Sequence, residues 1–334
     1  MSRWDDEAQY DRPRRRTRPR TKNRPAHDDA STALVTTVDR GRLTLLVRDP
    51  GGDPQRARVL TAMKSRSLGR KGVVVGDSVR VVGDRSGDDG SLARIVEVEP
   101  RRTVLRRTAD DDDPVERVVV ANADRLVVVT SLADPPPRPR LVDRCLVAAL
   151  DAGMEALLCL TKADLASPDD LLAAYRPLGV AAVAVERGGD LSQLQQRLHG
   201  SVSVLVGHSG VGKSTLVNAL VPDAMRDTGG VNAVTGRGRH TSTSAIALRL
   251  PAGGWIVDTP GIRSFGLAHV DPGRLIGAFP DLDAATADCP RGCGHTADDP
   301  ECGLDSAVAA GLVDPDRVES FRRLLTSRES QRGD

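Results

Sequence analysis

Short runs in which apolar and polar residues alternate occupy the chain from about Thr32 to Pro100. They include LVTTV, GRLTLLVRD, ARVLTAM, GVVVGDSVRVVGD and LARIVEVEP, and turns rich in Gly and Asp separate them. A period of two is typical of strands that bury one face. Several such strands at this spacing predict an all-β barrel or sandwich over residues 31–105.

Longer apolar runs follow a charged stretch, RRTVLRRTADDDDPVER at 101–117, which reads as a linker. Strand-like runs such as RLVVVTSL, EALLCLT and SVSVLVG alternate with helical patterns such as LVDRCLVAALDAGM, and the Pro-rich DPPPRPR at 134–140 indicates a loop. Alternating strands and helices are typical of a parallel sheet covered by helices. We therefore expect an α/β domain over 115–268 and a small helical domain over 270–330.

The charges nearly cancel, with 47 Lys and Arg against 46 Asp and Glu, but they are unevenly placed. Residues 12–24 hold seven Arg, one Lys and no acid, so we expect residues 1–30 to form a disordered basic tail, either a solvating segment or an arm for a polyanion. Basic residues in the β-rich region favour nucleic-acid binding there over a merely solvated surface: Arg58, Lys64, Arg66, Arg70 and Lys71. With only two Trp, two Tyr and three Phe, RNA recognition should rest on phosphates and shape rather than on base stacking.

The cellular location follows from two further patterns. No apolar run approaches the roughly 18 residues that a membrane span requires. The polar, Arg-rich N-terminus lacks the apolar segment of a secretory signal. We expect a cytoplasmic protein without a membrane partner, in which the five Cys are thiols or metal ligands rather than disulfides.

A phosphate-binding loop is predicted where residues 207–215 read GHSGVGKST between a strand and a helix. Its glycines allow a tight path that points backbone N–H groups at phosphate oxygens. Lys213 is expected to reach the β- and γ-phosphates, and Ser214 to hold Mg²⁺. The predicted nucleotide contacts in this loop are Gly207, His208, Ser209, Gly210, Val211, Gly212, Lys213, Ser214 and Thr215.

Two other motifs indicate that the nucleotide carries guanine. DTPG at 258–261 would let Asp258 contact Mg²⁺ through a water molecule, and it would offer the Gly261 N–H to the γ-phosphate. TKAD at 161–164 would place a carboxylate where guanine presents its N1 and N2 donors, which adenine lacks. The predicted base contacts are Thr161, Lys162, Ala163 and Asp164, with the stem of Lys162 lying over the purine.

TKAD precedes the phosphate loop, and DTPG follows it. This resembles the motif order that results when an ordinary GTPase is cut between its third and fourth motifs and its old ends are joined. Together with VVGDSVRV, EPRRTVLRR, GRGRHTSTS and WIVDTPGIRSFGL, it makes the chain similar to the bacterial ribosome small-subunit-dependent GTPase A family over about residues 35–325. The resemblance implies an OB-fold, a circularly permuted GTPase domain with the motif order G4-G5-G1-G2-G3, and a helical zinc-binding domain. It also implies GTP hydrolysis, binding to the 30S subunit and 16S rRNA, and a role in late subunit assembly.

This chain departs from the family's pattern in two motifs. The guanine motif usually begins with Asn, which helps to tether the base to the phosphate loop, so Thr161 predicts weaker base binding. The cysteine cluster reads C-x3-C-x-H-x6-C instead of the expected C-x4-C-x-H-x5-C. The four predicted ligands are Cys289, Cys293, His295 and Cys302. Together they would close a tetrahedral shell, which predicts one structural Zn²⁺. A redox pair of cysteines is the alternative. Cys145 and Cys159 lie in apolar patterns and are expected in the core.

For the hydrolysis step, the sequence predicts a switch segment but leaves open which group orients the attacking water. A switch segment is expected over about 225–244, with Thr241 or Thr243 completing the Mg²⁺ shell. Ile262 stands where small GTPases carry the Gln that orients the attacking water, so intrinsic turnover should be slow. Either His240 orients the water or the ribosomal subunit orders the switch, and the two are compatible.

Three functions therefore stay open on the sequence. The leading one is a monomeric GTPase that binds the 30S subunit late in its assembly, is stimulated by it, and leaves after hydrolysis. The second is an RNA-binding assembly chaperone that uses GTP and GDP as an affinity switch, which Ile262 favours. The third is a P-loop ATPase of another process, against which Asp164 argues.

Overall fold

The computed structural model describes residues 27, 29–39, 41–47, 57–68, 72–107, 116–222, 245–259, 267 and 270–329. The predicted basic tail up to residue 26, together with Arg70 and Lys71, lies outside the described residues. Within the described part of the chain, no helix combines the length and apolar character needed to cross a membrane.

A closed barrel of five strands forms the N-terminal part of the fold. The strands are β1 (Ser31–Asp39), β2 (Arg42–Val47), β3 (Arg58–Lys64), β4 (Ser78–Gly83) and β5 (Ala93–Val98). Their order is β1-β2-β3-β5-β4, and β4 pairs back with β1 to close the barrel. Alternate residues such as Val35, Leu45 and Ile95 are fully buried inside it. The all-β barrel predicted from the period of two is confirmed.

The remaining strands of the same hydrogen-bonded sheet form the α/β region. Five parallel strands are ordered β10 (Ala181–Val185), β9 (Glu155–Thr161), β8 (Arg125–Ser131), β11 (Val202–Val206) and β13 (Trp255–Asp258), followed by antiparallel β12 (Ile246–Arg249). The helices around it are α1 (Pro139–Asp151), α2 (Asp169–Tyr175), α3 (Ser192–Leu198) and α4 (Lys213–Leu220). The strands are buried by helices on both faces, which explains their continuous apolar runs.

The predicted linker at 101–117 is wrong in part, because it contains strand β6 (Val104–Arg107). This strand pairs with β7 (Arg117–Ala121) in a two-stranded antiparallel sheet. Leu105 is buried against the α/β core, while Arg106 points outward and pairs with Glu116. The density of Arg residues hid an alternation of only four residues, which packing against the core stabilises.

Close backbone contacts join the barrel to the α/β region. A Cβ at Gly76 would lie 2.0 Å from the carbonyl oxygen of Ala121, so only Gly fits there. The side-chain amide of Asn122 donates to the Gly76 carbonyl at 2.9 Å. Strand β1 also pairs with β12 through Thr37 and Ile246. The barrel therefore continues the sheet that carries the nucleotide motifs.

The C-terminal part consists of short helices and one longer helix. They are α5 (Pro272–Ile276), α6 (Pro280–Ala285), α7 (Gly303–Ala309) and α8 (Pro315–Glu329). Phe279 and Phe321 pack edge to face with ring centroids 5.6 Å apart. Helix α8 lies against α1, where Arg323 is 3.3 Å from the buried carboxylate of Asp143.

Candidate nucleotide and metal sites

The phosphate loop has the strand–turn–helix context that its motif requires. Strand β11 ends at Val206, and α4 begins at Lys213. A Cβ at Gly207 would lie 2.3 Å from the carbonyl oxygen of Val129, so this turn passes too close to β8 for any side chain. Gly210 and Gly212 have positive φ angles of 87° and 88°. These conformations favour Gly and let the loop turn its N–H groups inward.

Lys213 lies beside the carboxylate predicted to act through Mg²⁺. Its Nζ is 3.3 Å from Asp258 Oδ1 and donates to the Thr259 carbonyl at 3.3 Å. The two residues meet because β11 and β13 are parallel neighbours, with Leu205 opposite Asp258. Asp258 Oδ1 is buried and, apart from this ion pair with Lys213, has no hydrogen-bond partner among the described residues. This oxygen and the hydroxyl of Ser214, in the first turn of α4, are the hard oxygen donors that suit Mg²⁺.

The guanine motif lies at the same edge of the sheet, at the end of β9. The hydroxyl of Thr161 donates to the carbonyl of Val211, in the phosphate loop, at 2.6 Å. Lys162 adopts a positive φ of 60°, and its ammonium donates to the carbonyl of Asp134. The Asp164 carboxylate follows on an exposed turn. The TKAD motif and the phosphate loop therefore lie together at the carboxyl edge of the parallel sheet, which is where open α/β sheets bind their ligands.

The four predicted metal ligands come together in the C-terminal part. All their ligand atoms lie within 4.8 Å of one another: Cys289, Cys293, His295 and Cys302. The three sulfurs are 3.6, 3.5 and 3.8 Å from His295 Nδ1. A tetrahedral Zn²⁺ with ordinary Zn–S and Zn–N bonds would set these separations at roughly 3.6 Å. The donor set therefore fits a structural zinc, and the shortened Cys-to-Cys spacing does not prevent it.

Neighbouring groups orient these ligands. The Gly303 N–H donates to Cys289 Sγ at 3.1 Å, and a Cβ at Gly303 would lie 2.4 Å from the Ala285 carbonyl oxygen. Arg322, on α8, donates to the His295 carbonyl at 3.2 Å and forms two bonds of 2.8 Å with Asp305. These bonds hold the pKa of the Asp305 carboxyl below its ordinary value. The cluster is thus anchored to the longest C-terminal helix.

The other two cysteines lie in the core, as the sequence predicts. Cys145 and Cys159 are buried on α1 and β9. Burial raises the pKa of each thiol to about 12. Both therefore stay protonated at neutral pH and are inert as nucleophiles.

The sequence comparisons agree with this geometry. Residues 98–268 match the family described as RsgA GTPase. A Chlorobaculum parvum protein named small ribosomal subunit biogenesis GTPase RsgA is 36% identical over 310 residues, which cover 90% of this chain and 99% of that protein. A protein of the same name from Pseudomonas putida is 40% identical over 264 residues, or 76% of this chain and 75% of that protein. The chain belongs to the RsgA GTPase family.

Two solved structures share the fold of this RsgA GTPase. YjeQ from Thermotoga maritima superposes with a TM-score of 0.66 at 25% identity, over 91% of this chain and 100% of that one. YloQ, described as a circularly permuted GTPase, gives a TM-score of 0.64 at 21% identity, over 93% and 99% of the two chains. The predictions of a GTP hydrolase and of a circular permutation are both confirmed.

The sequence does not predict one neighbour of the phosphate loop in this RsgA GTPase, the segment around Pro135. The Pro-rich segment, read only as a loop, places Pro135 Cδ 3.4 Å from the position of a Cβ on Gly210. The hydroxyl of Ser131 donates to the Pro135 carbonyl at 2.7 Å. The position of this segment could have indicated its place beside the phosphate loop. It follows the carboxyl end of β8, which is the strand next to β11.

The remaining predicted residues divide into two groups. His208 is half-buried, and its Nε2 is buried without a hydrogen-bond partner in the part of the chain that the structure describes, whereas Ser209 and Thr215 are exposed. The predicted residues of the switch segment, the glycine of the DTPG motif and the residue after it lie outside the described residues: His240, Thr241, Thr243, Gly261 and Ile262.

Proposed function

We propose that this RsgA GTPase binds the small ribosomal subunit late in its assembly, hydrolyses GTP when the subunit stimulates it, and is then released. The observation that carries the proposal is that the phosphate loop, the TKAD motif and the DTPG motif lie together at one edge of the sheet. Thr161 contacts Val211 at 2.6 Å, and Lys213 lies 3.3 Å from Asp258. The name of the Chlorobaculum parvum relative, a biogenesis GTPase of the small subunit, supports the choice of partner.

In this proposal the phosphate loop neutralises and positions the triphosphate. Backbone N–H groups of 207–213 and the ammonium of Lys213 bind phosphate oxygens, and the α4 N-terminus adds its dipole. The residues that would hold Mg²⁺ are Ser214, Asp258 through a water, and Thr241 or Thr243. When bound, Mg²⁺ neutralises charge that develops on the phosphates. Asp164 accepts the guanine N1 and N2 donors, while Lys162 lies along the purine.

The barrel supplies the proposed contact with 16S rRNA. Arg58 and Lys64 are the first and last residues of β3, Arg66 follows in a short 3-10 turn, and all three are exposed. Lys64, Arg66 and Arg94 line a groove of about 440 Å³ together with Met63, Leu92 and other residues at the ends of β3 and β5. Cationic side chains around this groove suit a phosphate backbone, so binding should fall steeply with salt. The basic tail over 12–24 would add to this contact.

We further propose a division into a basic tail (1–30), an OB-fold domain (31–105), a circularly permuted GTPase domain (115–268) and a zinc-binding helical domain (270–330). The zinc is structural, because its four protein ligands leave no position for substrate. We propose that the protein acts as a monomer in the cytoplasm, where its ribosomal partner is assembled.

The test combines nucleotide binding with subunit binding. Titration with GDP and ADP should show binding of GDP alone, and the protein should sediment with 30S subunits in a non-hydrolysable GTP analogue. Subunits should accelerate GTP hydrolysis, and Lys213→Ala should abolish that acceleration. Binding of ADP equal to GDP would contradict the guanine assignment. Binding to subunits without acceleration would favour the affinity switch, and no GTP-dependent sedimentation would remove the ribosomal role.

A further inference from the structure

Helix α2, which follows the guanine motif, has little packing of its own. Of its seven residues, Leu171 and Tyr175 are buried. A helix this short is marginal in water without tertiary contacts. A groove of about 340 Å³ lies beside it, lined by Leu172, Tyr175, Arg176, Gly179, Val180 and Ala182. The position of α2, and of the guanine loop (161–168) that precedes it, therefore depends on contacts from elsewhere in the fold.

Two arginines of α8 supply such contacts. Arg323 donates to the Ala174 carbonyl at 3.2 Å, and its guanidinium carbon lies 5.1 Å from the centroid of the Tyr175 ring. Arg317 donates to the Pro177 carbonyl, in the turn after α2, at 2.6 Å. One C-terminal helix thus holds the end of α2 at two backbone carbonyls.

Arg323 lies where α1, α2 and α8 meet. Its Nε is 3.3 Å from the carboxylate of Asp143, a buried residue of α1. The hydroxyl of Tyr175 donates to the Pro139 carbonyl, in the first turn of α1, at 3.1 Å. Helix α1 follows the Pro-rich loop, in which Pro135 lies beside the phosphate loop. The same junction therefore fixes one segment that leads to the guanine motif and one that leads to the phosphate loop.

The residue before Arg323 reaches a different site. Arg322 donates to the His295 carbonyl at 3.2 Å and pairs with Asp305, both beside the metal cluster. Neighbouring positions on α8 thus contact the metal cluster and α2 separately. Substituting each arginine in turn can therefore separate the effects of α8 on the two sites.

We propose that Arg317 and Arg323 are positioning residues for nucleotide binding: from the C-terminal helix they hold α2, and through it the guanine loop that carries Asp164. The inference rests on the proposed guanine-nucleotide site. It makes α8 a support of that site as well as of the zinc-binding helical domain, to which the sequence assigns the whole of 270–330.

Nucleotide binding is the step that reports this support. Without the two arginines, α2 and the guanine loop sample more conformations, which the bound nucleotide must then restrict. Bound GTP and the transition state carry the same base, so both are affected equally. KM and the Kd of GDP should rise while kcat stays unchanged. By linkage, bound GDP should also protect the amides of α2 and α8 from hydrogen exchange in the wild type. A residue that merely stabilised the fold would not produce these two results.

Two variants of the full chain remove the contacts. Asp143→Asn/Arg323→Met replaces both charges of the buried pair, because removing Arg323 alone would leave a buried carboxylate unpaired. The Kd of GDP should rise about tenfold, on the order of one lost charged hydrogen bond. Arg317→Ala breaks the bond to Pro177 and an ion pair with the half-exposed Asp281, and should raise that Kd about threefold. The readouts are GDP titration, steady-state GTP hydrolysis and hydrogen exchange with and without GDP.

Arg322→Ala and Asp143→Asn are the matched controls. The first changes the same helix one position away, and the second leaves Arg323 in place, so both should bind GDP within about twofold of wild type. A folded Asp143→Asn/Arg323→Met variant that binds GDP like wild type would overturn the proposal. An Arg322→Ala variant that loses as much GDP affinity as Arg317→Ala, or a fall in kcat at unchanged KM, would also overturn it. A wild-type chain that binds no guanine nucleotide would instead overturn the proposed function on which the inference rests.

Discussion

The phosphate loop and the cysteine cluster are both built around a glycine that lies against a backbone carbonyl, yet they hold their ligands in opposite ways. The loop presents backbone N–H groups at the edge of a sheet buried on both faces. The cluster presents four side chains from turns between helices of seven residues or fewer. The first site is a product of the fold around it. In the second, a metal ion held by these side chains would contribute to the fold.

Metal removal should therefore affect the two regions very differently. We expect Cys302→Ser, or chelation, to release about one zinc per chain and to unfold much of α5 to α7, because structural zinc contributes on the order of 10 kcal/mol to such small sites. Metal analysis and circular dichroism measure this change. GDP affinity should stay within about threefold of wild type, since the strands and loops of the cleft are supported by their own core.

Cys145→Ala is the matched control for that experiment. Cys145 is buried on α1 and lies outside the metal cluster. The variant should keep its zinc and lose only the stability of a small core cavity, about 1 kcal/mol. Complete loss of GDP binding on zinc removal would contradict the separation of the two regions.

Substituting Gly207 and Gly303 should impair one site each and spare the other. An Ala side chain at Gly207 would place Cβ 2.3 Å from the Val129 carbonyl oxygen, and at Gly303 2.4 Å from the Ala285 carbonyl oxygen. Because backbone must move in each case, we expect a cost of about 3 kcal/mol or more. Gly207→Ala should lose GDP binding and keep zinc, whereas Gly303→Ala should weaken zinc binding and keep GDP. Parallel GDP titration and zinc analysis would show whether either variant impairs both sites.

A smaller effect is expected from Arg322, which supports the metal cluster from α8. Arg322→Ala removes the bond to the His295 carbonyl and the pair with Asp305. We expect zinc affinity to fall about tenfold, since outer groups orient the ligands. Competition with a zinc chelator measures it. Arg317→Ala, which breaks an ion pair with Asp281 away from the ligands, should leave zinc affinity unchanged.

The smallest effect should come from Asp143, at the contact between α1 and α8. Burial raises the pKa of this carboxyl, and Arg323 opposes the rise only in part. The folded protein then retains the proton at pH values where the unfolded chain has lost it. Stability contributed by the Asp143 carboxyl therefore falls as pH rises from about 4 through the raised pKa. Urea unfolding of wild type and Asp143→Asn between pH 4 and pH 7 should show wild type losing stability relative to the variant. A wild type that gains stability relative to Asp143→Asn as the pH rises would contradict this prediction.

Much of the cleft could be predicted from the sequence because its motifs are local. Strand β11 (Val202–Val206) runs directly into the glycines and lysine of 207–213, and the four candidate metal ligands lie within fourteen positions of one another. Strand β6 was missed because its four residues carry an alternation too short to see among arginines. Its pairing with β7 and the burial of Leu105 make it a strand.

The sequence by itself determined which chemical groups this GTPase has: a phosphate-loop motif, a carboxylate in the TKAD motif, and three cysteines with one histidine at the spacing of metal ligands. Only the tertiary structure decided how they meet. Thr161 bonds Val211, and Lys162 bonds Asp134, because β9, β8 and β11 are neighbours in one parallel sheet. Contacts between residues so far apart in the chain depend on strand order, which no local pattern encodes.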